Sequence, residues 1–143
     1  MEKVFRISDE EIKLALEKTT RQYFVGNLGL PQLIPFIKDE RVEIGISSYS
    51  EFTVESPHWH TNQIEYHYLL SGCTTYIETD TGQRHVFKPG DFYAIMTGTC
   101  FKQESEAGTS LIFIKVPSIN DKVTCKNCTK MNCQYKDGTE NRK

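Results

Sequence analysis

His58 and His60 stand two residues apart, and Glu65 follows after four intervening residues, within the stretch HWHTNQIEYHYLLSG that closes at Gly72. Side chains of a strand alternate with period two, so the two imidazoles share a face. Two neutral imidazole nitrogens and one carboxylate oxygen form a borderline-hard donor set that suits a divalent ion such as Zn, Fe, Mn or Ni. The same imidazoles could instead serve as acid and base for a proton transfer. Trp59 turns to the opposite face, where packing is its simplest role. All four histidines of the chain lie between positions 58 and 85. His67 shares a strand face with Glu65 and is a reserve ligand. His85, on the segment before a Pro-Gly-Asp turn, is another. Tyr66 faces away from Glu65 and is a poor ligand.

The His58, His60, Glu65 and Gly72 spacing resembles the first motif of the cupin superfamily at every fixed position. The run PGDFYAIMTG, Pro89 to Gly98, resembles the second. That motif ends in a further histidine about a dozen residues after the proline. Here the aligned position holds Phe101, and Gln103, of the same parity, is a weaker donor. The resemblance implies an all-β double-stranded β-helix, the RmlC-like jelly-roll barrel, with a pocket open at the end where residues 58–65 sit. It implies a metal held by His58, His60 and Glu65 with water in the remaining positions. It also implies a homodimer formed by exchange of edge strands, which protects them from non-specific pairing.

The elements that must position these residues are mostly short strands. Val42, Ile44 and Ile46 alternate with Glu43 and Gly45, and Phe52 and Val54 with Thr53 and Glu55. Further strands are predicted over Ile64 to Leu70, Cys73 to Glu78, His85 to Lys88, Asp91 to Met96 and Thr109 to Val116. Turn signals separate them at Ser71-Gly72, Asp80-Thr81-Gly82, Pro89-Gly90-Asp91, Gly98 and Ala107-Gly108. One helix precedes them. Ser8 and Glu11 form a capping box, Ile7 and Ile12 a hydrophobic staple, and Asp9, Glu10 and Glu11 complement the helix dipole. It is predicted to run to about Gln22, before Gly26 and Gly29. The organisation expected is a helical and capping segment over 1–37, also the candidate for exchange, a barrel over 38–117, and a tail over 118–143.

The tail has six cationic against three acidic side chains from position 117 onward and few large apolar residues. Cys125 and Cys128 have the spacing of a zinc knuckle, and Cys133 follows. Lys122, Lys126 and Lys130 favour thiolates there. A closed tetrahedral zinc site needs a fourth ligand, from Asp121, Asp137 or another subunit. The five cysteines are an odd number, which argues against a disulfide framework. Cys73 and Cys100 read as buried small hydrophobes.

The chain has 143 residues, 38% hydrophobic and 25% charged, with a net charge of −2. That is the composition of an ordinary globular domain and gives no argument for a nucleic-acid or membrane partner. No apolar run approaches the roughly 20 residues of a membrane span. MEKVFRISDEE has no apolar signal region, so a cytoplasmic address is expected. The partner expected is a small molecule. Three roles stand open, because the fold hosts many chemistries. One is a metal-dependent enzyme on a small polar substrate. Another is a metal-free isomerase or epimerase of nucleotide-linked sugars, with His58 or His60 as base and Tyr66 or Tyr76 assisting. The third is a ligand or metal sensor. No cluster of basic residues aimed at a pyrophosphate is visible in the sequence.

Overall fold

The computed structural model describes residues 3–124. The expected zinc ligands Cys125, Cys128 and Cys133 lie outside the described residues. Helix α1 spans Asp9–Lys18. Its capping box is present: Ser8 Oγ accepts from the Glu11 amide at 3.2 Å, and the Glu11 carboxylate accepts from the Ser8 amide at 3.4 Å. The helix stops at Lys18, four residues short of the predicted Gln22. Thr19 is extended (φ −139°, ψ 159°), and strand β1 follows at once over Arg21–Gly26. The run Tyr23-Phe24-Val25 is aromatic and β-branched, which suits a pleated strand better than another helical turn.

The remaining strands are β2 (Ile37–Lys38), β3 (Glu43–Tyr49), β4 (Thr53–His60), β5 (Ile64–Ser71), β6 (Thr74–Glu78), β7 (Arg84–Phe87), β8 (Phe92–Ile95), β9 (Phe101–Ser105), β10 (Thr109–Val116) and β11 (Lys122–Thr124). They form a six-stranded sheet in the order β2-β1-β3-β10-β5-β8 and a five-stranded sheet in the order β11-β4-β9-β6-β7. Ladders are antiparallel throughout except between β1 and β2. The fold class is the expected jelly roll of two facing sheets, with an N-terminal helix.

Two glycines show why the sequence closes this way. Gly72 has a φ of +80°, and a Cβ there would meet the Thr109 Cα at 2.4 Å. It sits at the turn out of β5, where Cys73 donates to Thr109 Oγ1 at 3.0 Å. At Gly45 a Cβ would meet the Phe113 ring at 2.3 Å. The missing side chain lets Phe113 lie across β3.

The alternation of β3 and β4 has an unexpected sense. Gly45, Ser47 and Tyr49 are the buried positions of β3, not Ile44 and Ile46. Phe52, just before β4, and Val54 within it are exposed while Glu55 lines the interior. Part of the interior is filled: Leu69, Leu111 and Phe113 form one apolar cluster, and Tyr76, Tyr93 and Phe101 another. The rest is a cavity of about 1270 Å³ lined by polar side chains from both sheets together with apolar ones such as Leu111 and Phe113.

Candidate metal centre in the barrel

Strand β4 carries both histidines, and a local irregularity aims them. Its pairing with β9 matches Glu55 to Gln103 and His58 to Phe101, with a shift between them. Pro57 sits in that interval, where the absence of an amide hydrogen is tolerated by a bulge. The bulge reverses the parity, so Glu55, His58 and His60 all line the cavity. Across the barrel β5 supplies Glu65. The ligand atoms of His58, His60 and Glu65 lie within 4.8 Å of one another.

Each ring nitrogen can be assigned from its partner. His58 Nδ1–H donates to the Ser56 carbonyl at 2.8 Å. His60 Nδ1–H donates to Asp121 Oδ1, also at 2.8 Å. Carbonyl and carboxylate oxygens only accept, so in both neutral rings the lone pair is left on Nε2. This is the arrangement by which a second shell fixes the tautomer of a metal-ligating imidazole. Asp121 is held by the backbone amides of Asn62 at 2.6 Å and Gln63 at 2.9 Å. It stands just before β11, whose Lys122 pairs with His60.

Glu65 is buried. Its Oε1 lies 3.3 Å from His67 Nε2 and 3.7 Å from Lys115 Nζ. Its Oε2 lies 3.3 Å from His60 Nε2 but has no aligned hydrogen bond and is an orphaned buried acceptor. An unsatisfied buried carboxylate oxygen is costly unless something positive meets it. Together with two free Nε2 lone pairs, this orphan makes the donor set fit a divalent ion. Burial pushes the Glu65 carboxyl up, but the contacts with His60 and His67 and the charge of Lys115 outweigh it and hold the group well below the usual carboxylate range. Burial lowers His58 below the usual histidine value. It also pulls His60 down, yet Glu65 and Asp121 raise that ring above 6.5.

The other residues singled out in the sequence fall elsewhere. His67 is buried beside Glu65, stacked on Tyr93 at 4.9 Å. Burial lowers its pKa, and its Nε2 is turned to Glu65, so it orients that carboxylate rather than joining the cluster. His85 is not brought to the site: on β7, it bonds Glu78 of β6 at 3.2 Å. Phe101, where a further histidine was expected, is buried with its ring 4.7 Å from that of His58. Gln103 Nε2 donates to Thr74 and Ser105. Tyr76 is buried within the aromatic cluster, and Tyr66 faces outward, stacked on Phe92 at 6.2 Å. Sequence reasoning considered Asp121 only for the cysteine tail. Nothing local marks it as the partner of a histidine 61 positions away.

The sequence profile described as "Cupin domain" matches residues 49–116. This chain carries a cupin domain. Solved structures share the fold. An RmlC-like cupin from Shewanella frigidimarina aligns with a TM-score of 0.53 and 17% identity, covering 71% of this chain and 78% of that one. KdgF from a Halomonas species aligns at 0.52 and 15%, covering 71% and 80%. PAC13 from Streptomyces, solved with uridine, aligns at 0.52 and 11%, covering 60% and 69%. At such identities the likeness concerns the cupin fold alone. No curated protein matches the sequence. Among the described residues, no helix is long and apolar enough to cross a membrane.

Proposed function

We propose that the cupin barrel holds a divalent transition-metal ion, one of Zn, Fe, Mn or Ni, on His58, His60 and Glu65, and presents it to a small polar metabolite. The observation that carries this reading is the convergence of two tautomer-locked Nε2 atoms on a buried carboxylate oxygen that has no hydrogen-bond donor. A bound ion there supplies Lewis acidity, polarising an oxygen of the ligand. Phe101 occupies the direction of a fourth protein ligand, so open positions remain for the metabolite, as in catalytic metal sites. The chain's own contribution is to orient. Ser56 and Asp121 fix the rings, His67 and Lys115 fix Glu65, and the aromatic cluster keeps water from one side. Metal quantification on protein purified without a tag or added metal tests this. His60→Ala should lose the ion, and unchanged metal content in that variant overturns the proposal.

A second reading keeps the site metal-free, with His60 as a general base on a keto sugar. It draws on the His60–Asp121 pair, a base oriented by a carboxylate. A wild-type barrel purified without metal, yet active in proton exchange next to a carbonyl, distinguishes it from the first.

We also propose a homodimer, through the outer face of the six-stranded sheet. Ile44 and Ile46 of β3, Ile112 and Ile114 of β10, Tyr66 and Tyr68 of β5 and Phe92 of β8 alternate with the residues that line the cavity. Four strands about 4.8 Å apart, each apolar over about five residues, make a platform of roughly 300 Å² in plan. That is the core of a standard interface of roughly 800 Å² per partner.

A further inference from the structure

The cavity that holds the histidine–glutamate cluster is also lined by four cationic side chains, Lys18, Arg21, Lys115 and Lys122. They come from α1, β1, β10 and β11. Three carboxylates, Glu43, Glu55 and Glu65, line it with them, and Asp121 stands behind His60. Those charges balance. A divalent ion on the cluster therefore adds positive charge that the protein does not compensate, in surroundings where unpaired charge is expensive.

Two of the cations are placed to meet a ligand. Arg21 Nε donates to Ser47 Oγ at 2.9 Å, and one amino nitrogen donates to the Tyr49 hydroxyl at 3.3 Å and to Glu55 at 3.5 Å. Its other amino nitrogen makes no hydrogen bond to a described residue, and the side chain keeps 30% of its exposure. The guanidinium lies 5.6 Å from the centroid of the Phe113 ring, and Lys115 Nζ lies 5.0 Å from the same centroid. The two cations thus stand within about 11 Å of each other, and Lys115 is itself 3.7 Å from Glu65. The unused amino nitrogen of Arg21 can donate a charge-assisted hydrogen bond to a carboxylate.

Building on the metal reading above, we infer that the cavity takes a small carboxylate-bearing molecule, its anionic group met by Arg21, with Lys115 lining the same cavity, and its remaining oxygens reaching the metal centre. Gly45 and the residues of β1 act through position: they set the wall from which Arg21 projects. The neutral polar lining, with Asn27 and Asn120 among it, suits hydroxyl groups on the rest of the ligand.

The test uses the full-length protein, zinc, and two matched probes, gluconate and sorbitol, which differ in a carboxylate. Calorimetry first measures zinc binding and then probe binding to the zinc-loaded protein. Gluconate should bind at least about tenfold more tightly than sorbitol, the scale of one charge-assisted hydrogen bond. Arg21→Gln should remove that preference and leave zinc affinity unchanged. Because Arg21→Gln strands Glu55, the double variant Arg21→Gln with Glu55→Gln is measured beside it and should lose the preference too. If zinc does not bind the wild type, the metal reading fails and this inference falls with it. If zinc binds but gluconate and sorbitol bind alike, only this inference is overturned. A preference that survives in both variants overturns the role of Arg21.

Discussion

Strands β3, β10, β5 and β8 present two opposite faces, and the two reverse the usual arrangement of a globular sheet. The inward face carries Ser47, Glu65, His67 and Lys115 beside Tyr49 and Phe113. The outward face carries isoleucines, tyrosines and Phe92 with no charged side chain at its outward strand positions. Tyr68 is 46% and Phe92 65% exposed. The five-stranded sheet is the control. Its outer surface is mixed: Arg84 against Glu104 at 3.4 Å and Lys102 against Glu104 at 3.9 Å stand beside exposed Val54 and Val86. A polar interior is tolerated because most of its groups pair with one another around a cavity, although Glu65 Oε2 and His67 Nδ1 are left without partners. An apolar exterior patch of this kind marks an interaction surface.

Substitutions on the two faces should therefore separate binding from assembly. The largest effect is expected from Glu65→Gln on the inward face. Metal affinity should fall by more than about a hundredfold, since losing even an outer partner costs about 10–100-fold. Metal analysis after dialysis checks it. On the outward face of the neighbouring strand, Ile114→Lys should dissociate the dimer, read as a halved mass by light scattering, with metal content retained. If Ile114→Lys changes the metal and not the mass, the division between the faces is wrong.

A smaller effect is expected from Asp121→Asn, which keeps the shape of the residue behind His60 and removes its charge. Metal affinity should drop about tenfold, at the low end for a second-shell partner, with little change in melting temperature. The smallest effect is that of pH on the apo protein. His60 is raised above 6.5 in the folded chain. Its contribution to stability is then fully present below about 6.5, its unfolded value, and is lost as pH rises through the folded pKa. Metal binding needs the neutral ring and should strengthen over that same interval. Melting curves and metal titrations across pH 6 to 8 should therefore move in opposite directions. Parallel movement would exclude His60 as the titrating ligand.

Much of the site was legible before any coordinates. The H-x-H spacing, Glu65 and the Pro-Gly-Asp turn have local consequences, because strand period and turn chemistry act over a few residues. The capping box at Ser8 was legible for the same reason. The end of α1 was not, since Thr19 and the run after it were claimed by a sheet whose partner, β3, begins more than twenty residues later. Nor was the sense of alternation in β3. Period two reveals that Ile44 and Ile46 share a face, and not that the face is the outer one.

The amino-acid sequence by itself determined the helix start, the strands from β3 to β8 and β10, the shared direction of His58 and His60, and the cupin resemblance, because each depends on neighbours within one strand or turn; β1, β2, β9 and β11 were not read from it. Tertiary structure alone decided that Asp121 bonds His60, that Lys115 stands beside Glu65, that Arg21 lines the same cavity, and that Phe101 stands where a further histidine was expected. Strand order brings positions 21, 65 and 115 to one cavity. Charges so far apart in the chain have no local pattern by which they could be read as a cluster.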